Sequence, residues 1–169
     1  MSSSIEIGGY TPGVIGRVTE LHGVYYHQHW GFGLYFEAKV ATELAAFLSR
    51  MDPAHDGAWI ARADGQVVGS VFIDGRDAHR DGARLRWFIT DPTYQGRGLG
   101  RRLMTEAVRF CQQAEFPKVY LTTFAGLDAA RHLYEQFGFQ LIHEAADNHW
   151  GTTVVEQQFE LVLAENTFS

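Results

Sequence analysis

The segment ARLRWFITDPTYQGRGLGRRLMTEAVRFCQQA, residues 83–114, constrains this chain more than any other. It opens on β-formers up to Thr90, breaks at Asp91-Pro92, and passes through Gly96, Gly98 and Gly100. It then carries Leu99, Leu103, Met104, Ala107, Val108 and Cys111 at helical spacing, so a helix is predicted over Gly98 to Ala114. Where a strand feeds a helix through glycines, the first helical N–H groups lack internal partners and the helix dipole is positive. Such a junction suits an anion, and glycine lets the amides approach it with no Cβ in the way. Arg97, Arg101 and Arg102 add side chains able to meet phosphate oxygens. A tight turn with solvated arginines explains these residues equally well when they are read alone.

The rest of the composition limits what that anion is. The chain has 20 Asp+Glu against 14 Lys+Arg, a formal net charge of −6, which argues against a nucleic-acid partner because such binding needs a basic face. At 169 residues and 46% hydrophobic content it fits one globular domain, expected over 13–165, with a flexible N-terminal lead-in over 1–12. No apolar run approaches the ~20 residues that cross a bilayer, and the first residues lack a basic start and apolar centre. A membrane partner is therefore not expected, and a cytoplasmic setting is. Cys111 has no internal disulfide partner and lies in a helix stripe, as a small core residue would.

Along the chain, Val14 to Thr19 reads as a first strand. Helices follow over Glu20 to Trp30 and Tyr35 to Met51, joined at Gly31 to Gly33. AWIARADGQVVGSVFI is a hairpin turning at Asp64-Gly65. After the glycine helix come the strand KVYLTTF, a helix carrying Ala129, Ala130, Leu133, Tyr134 and Phe137 that stops at Gly138, and two closing strands, FQLIHEA and TTVVEQQFELVL. The sum is an α/β architecture, a mixed sheet with helices on its faces.

A P-loop reading fails because no Gly-Lys-Ser/Thr ending is present, and a dinucleotide reading fails because Gly-x-Gly-x-x-Gly in an opening βαβ unit is not met. QGRGLG at 95–100 instead resembles [Arg/Gln]-x-x-Gly-x-[Gly/Ala], the pyrophosphate-binding signature of the GNAT acyl-coenzyme A-dependent N-acyltransferases, and AARHLYEQFGF at 129–139 resembles that family's later helix and strand. More narrowly, ELHGVYYHQHWGF, FEAKVA, GRRLMTEAVRFCQQAEF, AARHLYEQFGFQL and NHWGTTVVEQQFEL look like the acetyltransferase half of bacterial winged-helix regulator fusions. No regulator half is found in the sequence, so no DNA-binding role is expected of it.

The resemblance implies a mostly antiparallel sheet of about six to seven strands flanked by about four helices. It implies acetyl-CoA as co-substrate and no metal. The main chain of Phe88, Ile89 and Thr90 would pair with the pantetheine arm, and Gln95, Gly96, Arg97, Gly98, Leu99, Gly100 and Arg101 would hold the pyrophosphate. Tyr134 matches the family's tyrosine that hydrogen-bonds the departing thiolate and can act as general acid. A phenol of ordinary pKa about 10 stays protonated at neutral pH, which suits that role. Core packing is the other explanation for Tyr134.

Two departures stand out within the matched segments. Leu127 occupies the position where the family often has a cofactor-contacting Asn. ARLRWFIT carries Arg84 and Arg86 where some members have a glutamate base. The base is thus open among Glu37, His22 and His149. Acceptor pockets of such folds form from the first two helices and the loop between the last strands, which here supply His22, Tyr25, Tyr26, Trp30, Phe36, Glu37, Asn148, His149 and Trp150. These residues would wall a small amine or an amino-acid-like or peptide acceptor. A metal reading of His27-x-His29 lacks a third ligand nearby. The expected function is acetyl transfer from acetyl-CoA to an amine by direct attack, with a homodimer common among such proteins. The alternative is a non-catalytic acyl-CoA sensor or interaction module.

Overall fold

The computed structural model of the chain describes residues 4–150 and 152–163; Gly151 and the outermost residues of the expected spans, 1–3 and 164–165, lie outside them. Among the described residues seven strands form one sheet: β1 (Ile5–Gly8), β2 (Gly57–Ala63), β3 (Gln66–Asp74), β4 (Ala83–Thr90), β5 (Lys118–Phe124), β6 (Gln140–Asp147) and β7 (Val154–Val162), in the order β1-β2-β3-β4-β5-β7-β6. Every pairing is antiparallel except that of β4 with β5. The helices are α1 (Val14–Trp30), α2 (Leu34–Arg50), a single turn α3 (Ala78–Asp81), α4 (Leu99–Gln113) and α5 (Asp128–Gln136).

Side-chain alternation sorts the helices onto two faces. Along β2 and β3, Ile60 and Phe72 pack with Val14, Val18, Leu44 and Phe47 of α1 and α2, whereas Ala61, Val71 and Ile73 pack with Leu103, Met104 and Ala107 of α4. Tyr134 of α5 joins the α4 side. Cys111 is fully buried there, and desolvation pushes its thiol up to about 12, so it acts as an inert core residue.

Two expectations change. Val14–Thr19 is the first part of α1, not a strand: Val14, Val18, Leu21 and His22 are buried at helical spacing, and Gly13 in the left-handed region starts the helix. β-branched residues weaken a helix only slightly, and burial of a 3.6-period face outweighs that preference. The segment 1–12, expected to be flexible throughout, contains β1. This strand pairs Ile5 with Ala63 through Gly8 with Ile60, and Arg62 and Arg102 bind the carbonyls of Gly9 and Ile5 at its two ends.

The centre of the sheet is where it comes apart. β4 and β5 share only the pairs Ala83–Val119 and Arg84–Tyr120, so among the described residues the edge of β4 facing β5 has no strand partner beyond Arg84. On the other edge a bulge sits opposite Val71, since Ser70 pairs with Ile89 but Phe72 with Arg86. Trp87 occupies it at φ 46°, and the Ser70 hydroxyl donates to the Trp87 carbonyl at 2.7 Å. The extra residue shifts the alternation: Arg84, Arg86, Trp87 and Ile89 turn toward α1 and α2, whereas Leu85 and Phe88 turn toward α4 and α5.

Candidate active site

The split between β4 and β5 opens two cavities that meet at Tyr134. The first is a cleft of about 530 Å³ whose walls include Phe88, Ile89 and Thr90 of β4, Tyr94, Gln95, Gly96, Gly98, Leu99, Gly100 and Arg101 of the glycine loop, and α5 from Asp128 to Gln136. Asp91 closes the strand by accepting from the Thr93 N–H at 3.0 Å, and its carboxylate also meets Arg17 of α1 at 3.1 Å. Gly96 and Gly98 then adopt φ 79° and 75°, and α4 starts with the Arg102 N–H on the Gly98 carbonyl. The amides before Arg102 have no helical acceptor and lie at the positive end of the helix dipole.

Of the residues expected to hold a cofactor, all line this cleft except Arg97, whose guanidinium stacks over the Tyr94 ring at 5.0 Å. Arg101 lines it and also bonds Gln136. Arg102 is turned away to the Ile5 carbonyl. Leu127 stands in the cleft wall beside Gly126, so that stretch of wall is apolar.

The second cavity, about 200 Å³, lies on the α1–α2 side. Its walls include His22, Tyr26, Phe36, Lys39, Glu43, Arg84, Arg86, Trp87, Thr123, Phe124, Trp150 and Glu156. Tyr26, Phe88 and Tyr134 belong to both cavities. Tyr134 is 5% exposed, with Phe88, Phe139 and Phe159 rings at 5.7–6.1 Å. Burial pushes its hydroxyl well above the ordinary phenol value, with Tyr26 adding to the effect and Thr123 opposing it.

The residues expected to wall an acceptor divide. His22, Tyr26 and Phe36 line the second cavity, and Tyr25 lines the cleft. Trp30 packs on Tyr26, Phe32 and Phe124 in an aromatic cluster without reaching either wall. Glu37 lies against Gly23 of α1, and His149 pairs with the Tyr35 hydroxyl at 2.6 Å on the surface. Of the three candidate bases only His22 therefore reaches a cavity. Its Nδ1 donates to the Val18 carbonyl at 2.8 Å, leaving Nε2 unprotonated, and desolvation lowers its pKa to about 4. His27 and His29 bind the carbonyls of Phe32 and Tyr25.

Among the cavity residues that the sequence did not point to are Arg84, Arg86 and Glu156. Arg84 and Arg86 were marked only as the absence of an acid, although their i, i+2 spacing places both on one strand face. Glu156 carries no local signal, because it reaches the cavity only through the pairing of β7 with β5 opposite Phe124. Its pKa is raised, first by its hydrogen bond with Asp147 and then by desolvation. Asp147 is correspondingly lowered by the same bond.

The acetyltransferase (GNAT) family model matches residues 16–139. The chain is 30% identical over 145 residues to the human N-acetylaspartate synthetase, covering 85% of this chain and 46% of that protein. It is 36% identical over 100 residues to the N-alpha-acetyltransferase RimI of Mycobacterium tuberculosis, covering 58% and 61%. The chain thus spans under half the length of the human protein. In fold it is similar to yncA of Salmonella typhimurium, solved with its cofactor acetyl-CoA, at TM-score 0.73 and 14% identity over 97% of this chain and 96% of that one. An acetyltransferase from Streptococcus agalactiae gives TM-score 0.73 at 21% identity over 94% and 98%. A family model spanning most of the chain, laid over a sheet that splits before a glycine-started helix, places this chain in the acetyltransferase (GNAT) family.

Proposed function

We propose that this protein is an N-acetyltransferase that moves an acetyl group from acetyl-CoA directly to the amine of a small-molecule or amino-acid-like acceptor. The observation that carries the proposal is the meeting of the two cavities at Tyr134, one suited to a long phosphorylated donor and the other to a compact acceptor. The cleft fits acetyl-CoA on its own geometry. The free edge of β4 at Phe88 to Thr90 offers main-chain groups to an amide-bearing arm, and Gln95 to Arg101 offer amides and the Arg101 guanidinium to a pyrophosphate. Bound acetyl-CoA would supply the acetyl group as a thioester, and transfer to an amine yields an amide and a free thiol.

Tyr134 serves as a hydrogen-bond donor at the junction. Its burial keeps it protonated across the neutral range, and a phenol so far above a thiol of pKa about 8.5 steadies a sulfur gaining negative charge rather than surrendering its proton outright. Glu156 receives the proton that the amine must lose. Its raised pKa brings it closer to neutrality than an ordinary carboxylate, the direction that favours a general base. His22 presents an unprotonated Nε2 in the same cavity as a hydrogen-bond acceptor for the amine. The proton count closes through solvent: Glu156 passes the amine's proton to water, and the departing thiolate, steadied by Tyr134, takes one from water.

Cytoplasmic location, a homodimer and kinship with winged-helix regulator fusions belong to this proposal. The buried, unbridged Cys111 suits the first, and the exposed Leu141, Ile142 and Val162 near the sheet edge suit the second. No helix among the described residues is long and apolar enough to cross a membrane. The test is thiol release from acetyl-CoA over a panel of amines. Release that depends on both amine and Tyr134 is expected; tight coenzyme A binding without turnover on any amine would favour the sensor reading.

A further inference from the structure

The charges around the second cavity do not balance. Glu43 of α2 is fully occupied, its two oxygens meeting Lys39 Nζ at 2.9 Å and Arg86 Nη2 at 2.6 Å. Asp74, the cross-strand neighbour of Arg84, is taken by Arg50 at 2.6 Å. Arg84 itself has no hydrogen bond or ion pair among the described residues, although it lines the cavity with Arg86. Lys39, Arg84 and Arg86 against Glu43 and an ionised Glu156 leave one positive charge, in a protein whose formal net charge is −6. Arg86 is held over the Trp87 ring at 4.1 Å with its side chain 15% exposed, so it cannot swing out to solvent without losing that stacking. Burial and the neighbouring Arg84 both depress its pKa, the signature of a guanidinium pair crowded by its own charge.

We propose that Arg84 and Arg86 form an anion subsite in the acceptor cavity, and that the acceptor is an amine that also carries at least one carboxylate. This rests on the transferase reading above. The carboxylate would lie between the two guanidiniums, which are planar donors suited to it. The amine would point toward Glu156 and Tyr134, which line the same cavity. Arg84 is the specific element, because among the described residues it is the one cavity cation with no carboxylate of the protein's own to answer it.

Calorimetry with the protein saturated by coenzyme A tests this, using L-aspartate, L-glutamate and glycine beside L-asparagine amide, L-glutamine amide and tyramine. The carboxylates are expected to bind at least about tenfold more tightly than the neutral-tailed amines, as charge-assisted hydrogen bonds of this kind allow. Arg84→Gln should remove that preference while coenzyme A affinity stays unchanged, and Arg84→Lys should restore much of it. In turnover, Arg84→Gln should raise KM for carboxylate amines with little change in kcat. Equal binding of both sets, or a preference that survives Arg84→Gln, overturns the subsite. Preferential carboxylate binding with no acetyl transfer leaves the subsite standing and overturns the transferase reading alone.

Discussion

The Ser70 hydroxyl donates to the Trp87 carbonyl at 2.7 Å, at the residue where β4 turns left-handed. That contact crosses from the regular part of the sheet to the bulge that redirects Phe88 toward the cleft and Trp87 toward the second cavity. Ser70 is fully buried, so Ser70→Ala leaves the carbonyl without a partner. A loss of about 1–3 kcal/mol in chemical denaturation is expected, together with weaker coenzyme A binding because the free strand edge is no longer set at its angle. Unchanged affinity would show that the bulge does not position the edge.

Gly98 starts α4 at φ 75° with open space around it, so the obstacle to a side chain is backbone conformation rather than contact. Gly98→Val should cost about 1–3 kcal/mol of stability through strain. Coenzyme A affinity should fall by at least about tenfold, a loss of about 1.4 kcal/mol in binding. Gly100 differs: a Cβ there would stand 3.4 Å from Leu133 and Phe88, both in the cleft wall. Gly100→Val should therefore narrow the cleft with less backbone strain, and titration calorimetry of the two variants separates the causes.

Tyr134→Phe keeps the ring among Phe88, Phe139 and Phe159 and removes only the hydroxyl. A fall in kcat of about 10–100-fold is expected, the worth of one hydrogen bond to developing charge. Melting temperature should change little. Full turnover in this variant would make Tyr134 a packing residue.

Glu156→Gln tests the base through pH. The wild-type rate should fall as pH drops through a pKa above the ordinary carboxylate range, because the group must be ionised to accept a proton. The variant should be slower by about a hundredfold and lack that acid limb. An unaltered pH profile would remove Glu156 from the mechanism.

His22 makes a prediction about stability alone. Its folded pKa is lowered to about 4 from 6.5, so between those values the unfolded chain binds the proton and the folded one does not. Stability from this group is complete above about pH 6.5 and is lost as pH falls toward 4, by roughly 3 kcal/mol in all. His22→Gln should flatten that part of the pH dependence of denaturant midpoints.

The donor side was legible in the sequence because it is local. Strand, glycines and helix follow one another within residues 83–114, and Leu99, Leu103 and Met104 fix which face of the helix is buried. The second cavity was legible only in part, because Arg84 and Glu156 come from β4 and β7 and meet His22 of α1 only through tertiary pairing. The aromatic and hydrogen-bonding residues of the first two helices and the last loop divide: His22, Tyr26 and Phe36 line that cavity and Tyr25 the cleft, whereas Trp30, Glu37 and His149 line neither. Val14 to Thr19 misled for a related reason: β-branched residues at i and i+4 serve a buried helix face as well as a strand.

The narrow seam between β4 and β5 has a consequence for how the protein handles heat and supply. Two rungs join the half-sheet β1–β4 to the half-sheet β5–β7, and among the described residues no strand closes the gap beyond them. A donor lying along the free edge of β4 would bridge the halves and act as a missing structural member. By mass action the folded state then gains stability in proportion to the logarithm of donor concentration. The metabolite that feeds the reaction would thereby also stabilise the protein that consumes it.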